Sequence, residues 1–156
     1  MDFYFLVKTL HIVSATILFG TGIGIANFMF LGHRSGVPQE RAFAARMTVK
    51  ADFLFTLPSA IIQPLSGAYL VWQGGFPWNE LWLVLAAGLY LLAGACWVPV
   101  VFIQMRMKAL LEASLRGEPY NEKTYNQLFR TWFVLGWPAF GSLVVIFWLM
   151  VTKPTW

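Results

Sequence analysis

Charge is what this chain has least of. Only 12% of its 156 residues are Asp, Glu, Lys or Arg, about half the share usual in a soluble domain. With 58% hydrophobic and 17% aromatic residues, the composition excludes a soluble globule and, equally, a disordered chain, which needs low hydrophobicity. A single cysteine, Cys96, excludes a disulfide scaffold. Histidine is scarce too: His11 and His33 are the whole supply. With so few, the sequence holds no HExxH, no CxxC, no Ser-His-Asp trio and no phosphate-binding glycine loop, so hydrolases and nucleotide enzymes are set aside. The net charge of +4 would suit nucleic acid, but the basic residues sort by membrane side, which explains them more simply.

What is present is long apolar runs. Thr9 to Gly32, Phe53 to Asn79, Leu81 to Met105 and Thr131 to Thr152 contain no Asp, Glu, Lys or Arg over 24, 27, 25 and 22 residues. A hydrocarbon core of about 30 Å needs roughly 20 helical residues. Four spanning helices follow, over residues 7–31, 53–73, 81–104 and 131–151, in one all-α membrane domain covering 1–156. The runs lack the in-out alternation of a barrel strand. The first run is too long for a signal-peptide core, and Asp2 with a lone Lys8 makes a poor basic leader. None of the spans carries a central charged residue, so a dedicated ion pump has no support.

The short connections give orientation. Arg34, Arg41, Arg46 and Lys50 lie in the first, and Arg106, Lys108, Arg116, Lys123 and Arg130 in the third, while Gly74 to Glu80 has none. The positive-inside rule therefore places both termini outside, in the periplasm of a bacterial inner membrane, and both long connections in the cytoplasm. Pro38 suits a first helical turn, and Gln39 to Lys50 should be helical and project into the cytosol, running on into the second span. Asn121 to Arg130 can lead unbroken into the last span. Asp52 enters the second span with Arg46 and Arg106 as expected partners. Pro58, Pro64, Pro99 and Pro138 predict bends, whose freed carbonyls need partners, with Gln63 beside the second of them. Most of the eight tryptophans read as interfacial anchors and packing, and Cys96 as a buried thiol.

His11 is the position that most invites chemistry, because ionisable groups within an apolar span are expensive. It falls in the outer third of its helix. Ser14, Ala15, Leu18, Gly22, Ala26 and Met29 share its face, a surface of largely small side chains on which something flat would fit. Gly20 and Gly24 point the other way and form a small-residue surface for another helix, or for a second copy of the chain. One reading of His11 is a hydrogen bond to a neighbouring helix. The other is an axial ligand to haem iron, with Lys8 available to a propionate one turn outward, or else simply reaching the headgroups. His33 lies about 33 Å away along the helix and cannot share a metal with His11. It reads as an interfacial residue beside Arg34.

The chain resembles a family of small bacterial integral-membrane proteins catalogued as a domain of unknown function. The resemblance runs through Leu6 to His11, the glycine run Gly20 to Gly24, His33 to Gly36, Asp52 to Pro58, Gln63 to Gly67, Cys96 to Pro99, Gln104 and Gly136 to Phe140. More distantly, Lys8 to His11 and Val151 to Pro154 are similar to the ends of HemJ-type protoporphyrinogen oxidases and of CopD-like copper-resistance proteins. In the HemJ type the first-helix histidine is implicated in binding b-type haem, which by resemblance maps onto His11. The sequence departs from that type in having no Lys, Arg or His between Leu81 and Met105.

These readings lead to a b-type haem or porphyrin protein with an electron-transfer or porphyrin redox role, and, if an enzyme, an oxidoreductase of HemJ-like type. The residues expected at the cofactor are His11 as metal ligand, with Lys8, Ser14, Ala15, Gly22 and Met150. Met150 is the candidate second ligand, with water or the His11 of a second copy as alternatives. A non-enzymatic membrane subunit or assembly factor is the second reading, and copper handling on the periplasmic side the third. The expected partners are the bilayer, a second copy through Gly20 and Gly24, and a redox or membrane protein.

Overall fold

A computed structural model of the protein describes residues 3–155, so Met1, Asp2 and Trp156 lie outside the described residues. Helix α1 spans Phe3–Ser35, α2 Pro38–Ala51, α3 Leu57–Gln73, α4 Leu81–Leu115 and α5 Glu122–Thr152, with a π-helical turn, Asp52–Thr56, joining α2 to α3. Four rods result, because α2, the π turn and α3 form one continuous helix, and each is long and apolar enough to cross a membrane. No strand occurs among the described residues. Rods of 31 to 36 residues reach roughly 50 Å, well beyond a hydrocarbon core of about 30 Å. The outward surface is apolar along them, as at Phe28, Leu91 and Val151, which is a surface made for lipid.

The prolines dictate the local irregularities. Pro58 has no N–H for the carbonyl of Leu54 and its ring crowds that turn, so the helix widens to the π form just before it. Pro64 similarly leaves the carbonyl of Ala60 without a backbone donor, and the Tyr90 hydroxyl donates to that oxygen at 2.5 Å. The freed carbonyl thus finds its partner on α4. Pro99 and Pro138 also lie inside helices.

The densest packing lies at the end of the bundle that carries the two basic connections. There Met29 of α1, Ala42 and Ala45 of α2, Met107 and Leu111 of α4, and Tyr125 and Phe129 of α5 form one buried cluster. The segment that follows Pro38 is helical, as expected, and does not stand apart from the bundle: it packs along α1 and α4. Ala42 and Ala45 are fully buried because α2 packs between α1 and α4. Alanines at i and i+3 let its backbone come close. Gly32 has the same role on α1: a Cβ there would sit 2.8 Å from the Ala44 Cβ and 3.3 Å from the Glu40 carbonyl oxygen. Gly36, at φ +72°, makes the sharp turn between the two helices.

At the opposite end the helices separate into two pairs. There α1 packs on α3 and α4 on α5, while α1 meets α5 only lightly, chiefly where Phe19 stacks on Phe140 at 4.9 Å. The tight turn between α3 and α4 is held by Phe76 against the buried Trp82, and the Lys153 ammonium lies 4.5 Å from the Phe76 ring. Trp72 and Trp78 on the same level are exposed, as anchors should be.

Arg41 joins three elements at the basic end. Its Nε and Nη2 donate to the His33 carbonyl, one of the last carbonyls of α1, and its Nη1 pairs with Glu122 at 2.8 Å. The guanidinium also lies 5.1 Å from the Tyr125 ring. Burial raises the nearby Tyr120 phenol well above its ordinary pKa, with Glu122 adding to the rise. Replacing Arg41 with Met should destabilise the bundle by about 2 kcal/mol, since the helix end loses charge-assisted bonds while half-exposed Glu122 is rehydrated. Thermal unfolding in mild detergent reads this directly, and an unchanged midpoint would show that the Arg41 bonds contribute nothing.

Candidate functional site

His11 faces α3 and is half buried. Its Nδ1 lies 2.7 Å from the Ser66 hydroxyl. Ser66 is also 2.5 Å from the Ile62 carbonyl oxygen, four residues back on its own helix, and 3.3 Å from that of Gln63. A hydroxyl has one proton, and a carbonyl can only accept one. The shorter contact takes it, so Ser66 donates to Ile62 and accepts from Nδ1–H of His11. That assignment makes Nε2 the nitrogen with the free lone pair.

Further contacts hold the His11 backbone against α3. Gln63 Nε2 donates to the His11 carbonyl at 2.7 Å and also to the Ser14 hydroxyl, which itself donates to the His11 carbonyl at 3.1 Å. Gly67 completes the seat, since a Cβ there would come within 3.3 Å of His11 Cε1. His11, Ser14, Gln63 and Ser66 therefore form one polar knot between α1 and α3, surrounded by apolar side chains. Ser66 lies seven residues inside the end of α3, about 10 Å by helical rise.

The expected cofactor residues are divided by this geometry. Ser14 is 2% exposed and committed to Gln63, so it is a seat for His11 rather than a surface for a ligand. Ala15 and Gly22 remain partly open, and a Cβ added to Gly22 would meet nothing within 4 Å. Lys8 is exposed, with its ammonium 5.9 Å from the Tyr4 ring. Met150 is half buried on α5 and has no polar contact with His11. No helix of this chain covers Gly20, and Gly24 meets only Phe28 of its own helix. Within the chain, the glycines that admit another helix are Gly32 and Gly67. Among the described residues no group of three or more His, Cys, Asp or Glu could hold a metal ion, so a metal at His11 would need ligands of another kind beside it.

Elsewhere the sequence reading needs correction at one point and stands at others. Asp52 does not pair with Arg46 or Arg106; it accepts a bond from Trp97 Nε1 at 3.4 Å. The only salt bridges among the described residues are Arg41 with Glu122 and Arg116 with Glu118. Asp52 opens the π turn and is 3% exposed, on the same buried side of the rod as Thr48. Cys96 is buried and free. His33 stacks on Phe129 at 3.8 Å and lies 3.4 Å from the Tyr125 hydroxyl, a packed position. An apolar groove of about 940 Å³ opens between α1 and α2, with Phe28, Phe43, Met47 and Phe55 on its walls, well away from His11. Sequence reasoning missed Ser66 and Gly67 as partners of His11. The spacing of Gln63 and Ser66, two polar residues one turn apart on an apolar span, was the signal that could have found them.

The chain belongs to the family described as predicted integral membrane protein (DUF2269), whose model matches residues 5–154. No curated protein and no solved structure matches it.

Proposed function

From its place in that family of integral membrane proteins, we propose that the chain binds a b-type haem or related porphyrin through His11 Nε2, in the periplasmic half of a bacterial inner membrane. The observation that supports this reading is the Ser66 bond. A histidine ligand needs its metal-binding nitrogen unprotonated and its other nitrogen held by an acceptor, and the Ser66 hydroxyl holds Nδ1–H. Gln63 bonds the His11 backbone carbonyl, Gly67 lies beside the ring, and the uncovered Gly22 leaves room for a flat group on the same face of α1. Lys8, one turn outward, would meet a propionate. The bound group would supply one-electron chemistry or porphyrin redox chemistry, and the chain's own part is to hold, orient and shield it from water. The absence of any basic residue between Leu81 and Met105 argues for electron transfer over protoporphyrinogen oxidation.

Ser66→Ala tests the orientation of the ring. It should leave the fold intact and weaken haem retention by about 10–100-fold, the usual effect of losing a bond to the second nitrogen of a histidine ligand. Haem titration of the purified variant reads this, and retention equal to the unaltered protein would remove Ser66 from the account.

A second reading is favoured by the same knot. Four polar side chains bonded across two apolar helices make a helix lock whether or not a ligand is present. In that case the chain is a membrane subunit or assembly factor and is colourless. Periplasmic copper handling would need soft ligands gathered near His11, and among the described residues no cluster of three or more His, Cys, Asp or Glu occurs.

A further inference from the structure

A second set of buried polar groups lies away from His11, where the π turn of the second rod meets α4. Thr48, Asp52 and Thr56 follow one another at four-residue intervals on that rod. Gln104 lies on α4 two turns from Trp97, so that both point the same way. Thr48, Asp52, Thr56 and Gln104 are 2%, 3%, 7% and 2% exposed. Trp97 donates to one oxygen of the Asp52 carboxyl at 3.4 Å, and the Thr56 and Gln104 side chains lie close enough to interact with that carboxyl, though outside hydrogen-bond geometry.

Four oxygens here are buried without a hydrogen-bond partner: Asp52 Oδ2, Gln104 Oε1 and the hydroxyl oxygens of Thr48 and Thr56. The two threonines differ from Thr9, Thr16, Thr131 and Thr152, whose hydroxyls each donate to the carbonyl four residues back. That local bond is the default for a helical threonine in an apolar setting. Thr48 and Thr56 forgo it. Asp52 also lacks a positive partner, since no salt bridge reaches it, and a buried carboxylate requires compensation.

We propose that Asp52, Thr48, Thr56 and Gln104 bind one alkali-metal cation between the second rod and α4. Each unpartnered atom is an oxygen, the donor that hard cations take, with no sulfur or nitrogen ligand among them. One carboxylate balances one positive charge, whereas a divalent ion would leave a net charge buried. A proton on Asp52 would give Oδ2 one bond to donate and would bring no partner to the Thr48 hydroxyl. Trp97 holds the remaining carboxylate oxygen and turns Oδ2 toward the ion.

The test is thermal unfolding of the full chain in mild detergent, in sodium, potassium or choline chloride at equal ionic strength. A ligand that binds only the folded state raises the midpoint in proportion to its occupancy. The midpoint should rise saturably with sodium or potassium relative to choline. Asp52→Asn should abolish that response, and Thr56→Val and Gln104→Leu should each shift it to about tenfold higher salt. The three variants keep the test decisive if one of them fails to fold, and His11→Asn should leave the response unchanged, which separates this site from the haem reading. Identical midpoints in the three salts would overturn the proposal. So would a cation response that survives in Asp52→Asn, or a stability step that depends on pH alone.

Discussion

Replacing His11 with Asn is expected to remove all haem absorbance from the purified protein while leaving the bundle folded. The side-chain amide nitrogen of Asn falls near the position of imidazole Nδ1, so it can still donate to Ser66 and keep the α1 to α3 knot closed. Nothing remains at the position of Nε2 to meet a metal. The change therefore separates ligation from packing, which His11→Ala does not. Alanine would leave Ser66 with an unused acceptor and open space beside Gly67, at a cost of about 1–3 kcal/mol. If His11 is only a helix lock, Asn and the native protein should be equally colourless and nearly equally stable, while Ala is destabilised. Optical spectra and unfolding curves of the two variants side by side decide between the readings. Haem retained by His11→Asn would mean that the ligand lies elsewhere.

The second large effect is expected at Gly32. A Cβ there would fall 2.8 Å from the Ala44 Cβ and within 3.7 Å of the Arg41 Cα, against a neighbouring helix backbone and not a flexible side chain. The helices cannot part to make room, because only Gly36 and Val37 connect α1 to α2. Gly32→Leu should cost about 3 kcal/mol or more by overpacking, and Gly32→Ala about 1 kcal/mol. Gly24→Leu is the matched control on the same helix. Its added atoms enter open space, so stability should stay within about 0.5 kcal/mol. Equal tolerance of Leu at the two glycines, measured by thermal unfolding, would contradict the packing described for α1 and α2.

The four rods were legible because uninterrupted apolar runs of 22 residues or more in a charge-poor chain have no other stable state. Proline chemistry was legible in kind: the freed carbonyl at Ala60 follows from Pro64, but that Tyr90 would reach it does not, since periodicity fixes a face and not a neighbour. The burial of α2 was hidden for a related reason. A polar helix with charged residues reads as solvated, and only the close approach of Gly32 to Ala44 shows that its alanines are core. Asp52 illustrates the limit from the other side. Basic residues near it in sequence suggested pairing, yet helical rotation and the π turn put the carboxyl beside Trp97 instead. At the candidate site, His11 and Gln63 stood out as polar groups in apolar spans. Ser66 and Gly67 did not, because serine and glycine are common in membrane helices.

The central claim is that His11 Nε2 holds a haem or porphyrin. Its most direct test is the absorption spectrum of the protein purified in mild detergent, oxidised and then reduced with dithionite, with pyridine haemochrome analysis of any colour. The account predicts sharp reduced bands and haem near one equivalent per chain, lost in His11→Asn. A preparation that stays colourless after expression with added haem precursor would contradict it and leave the polar knot as a helix lock.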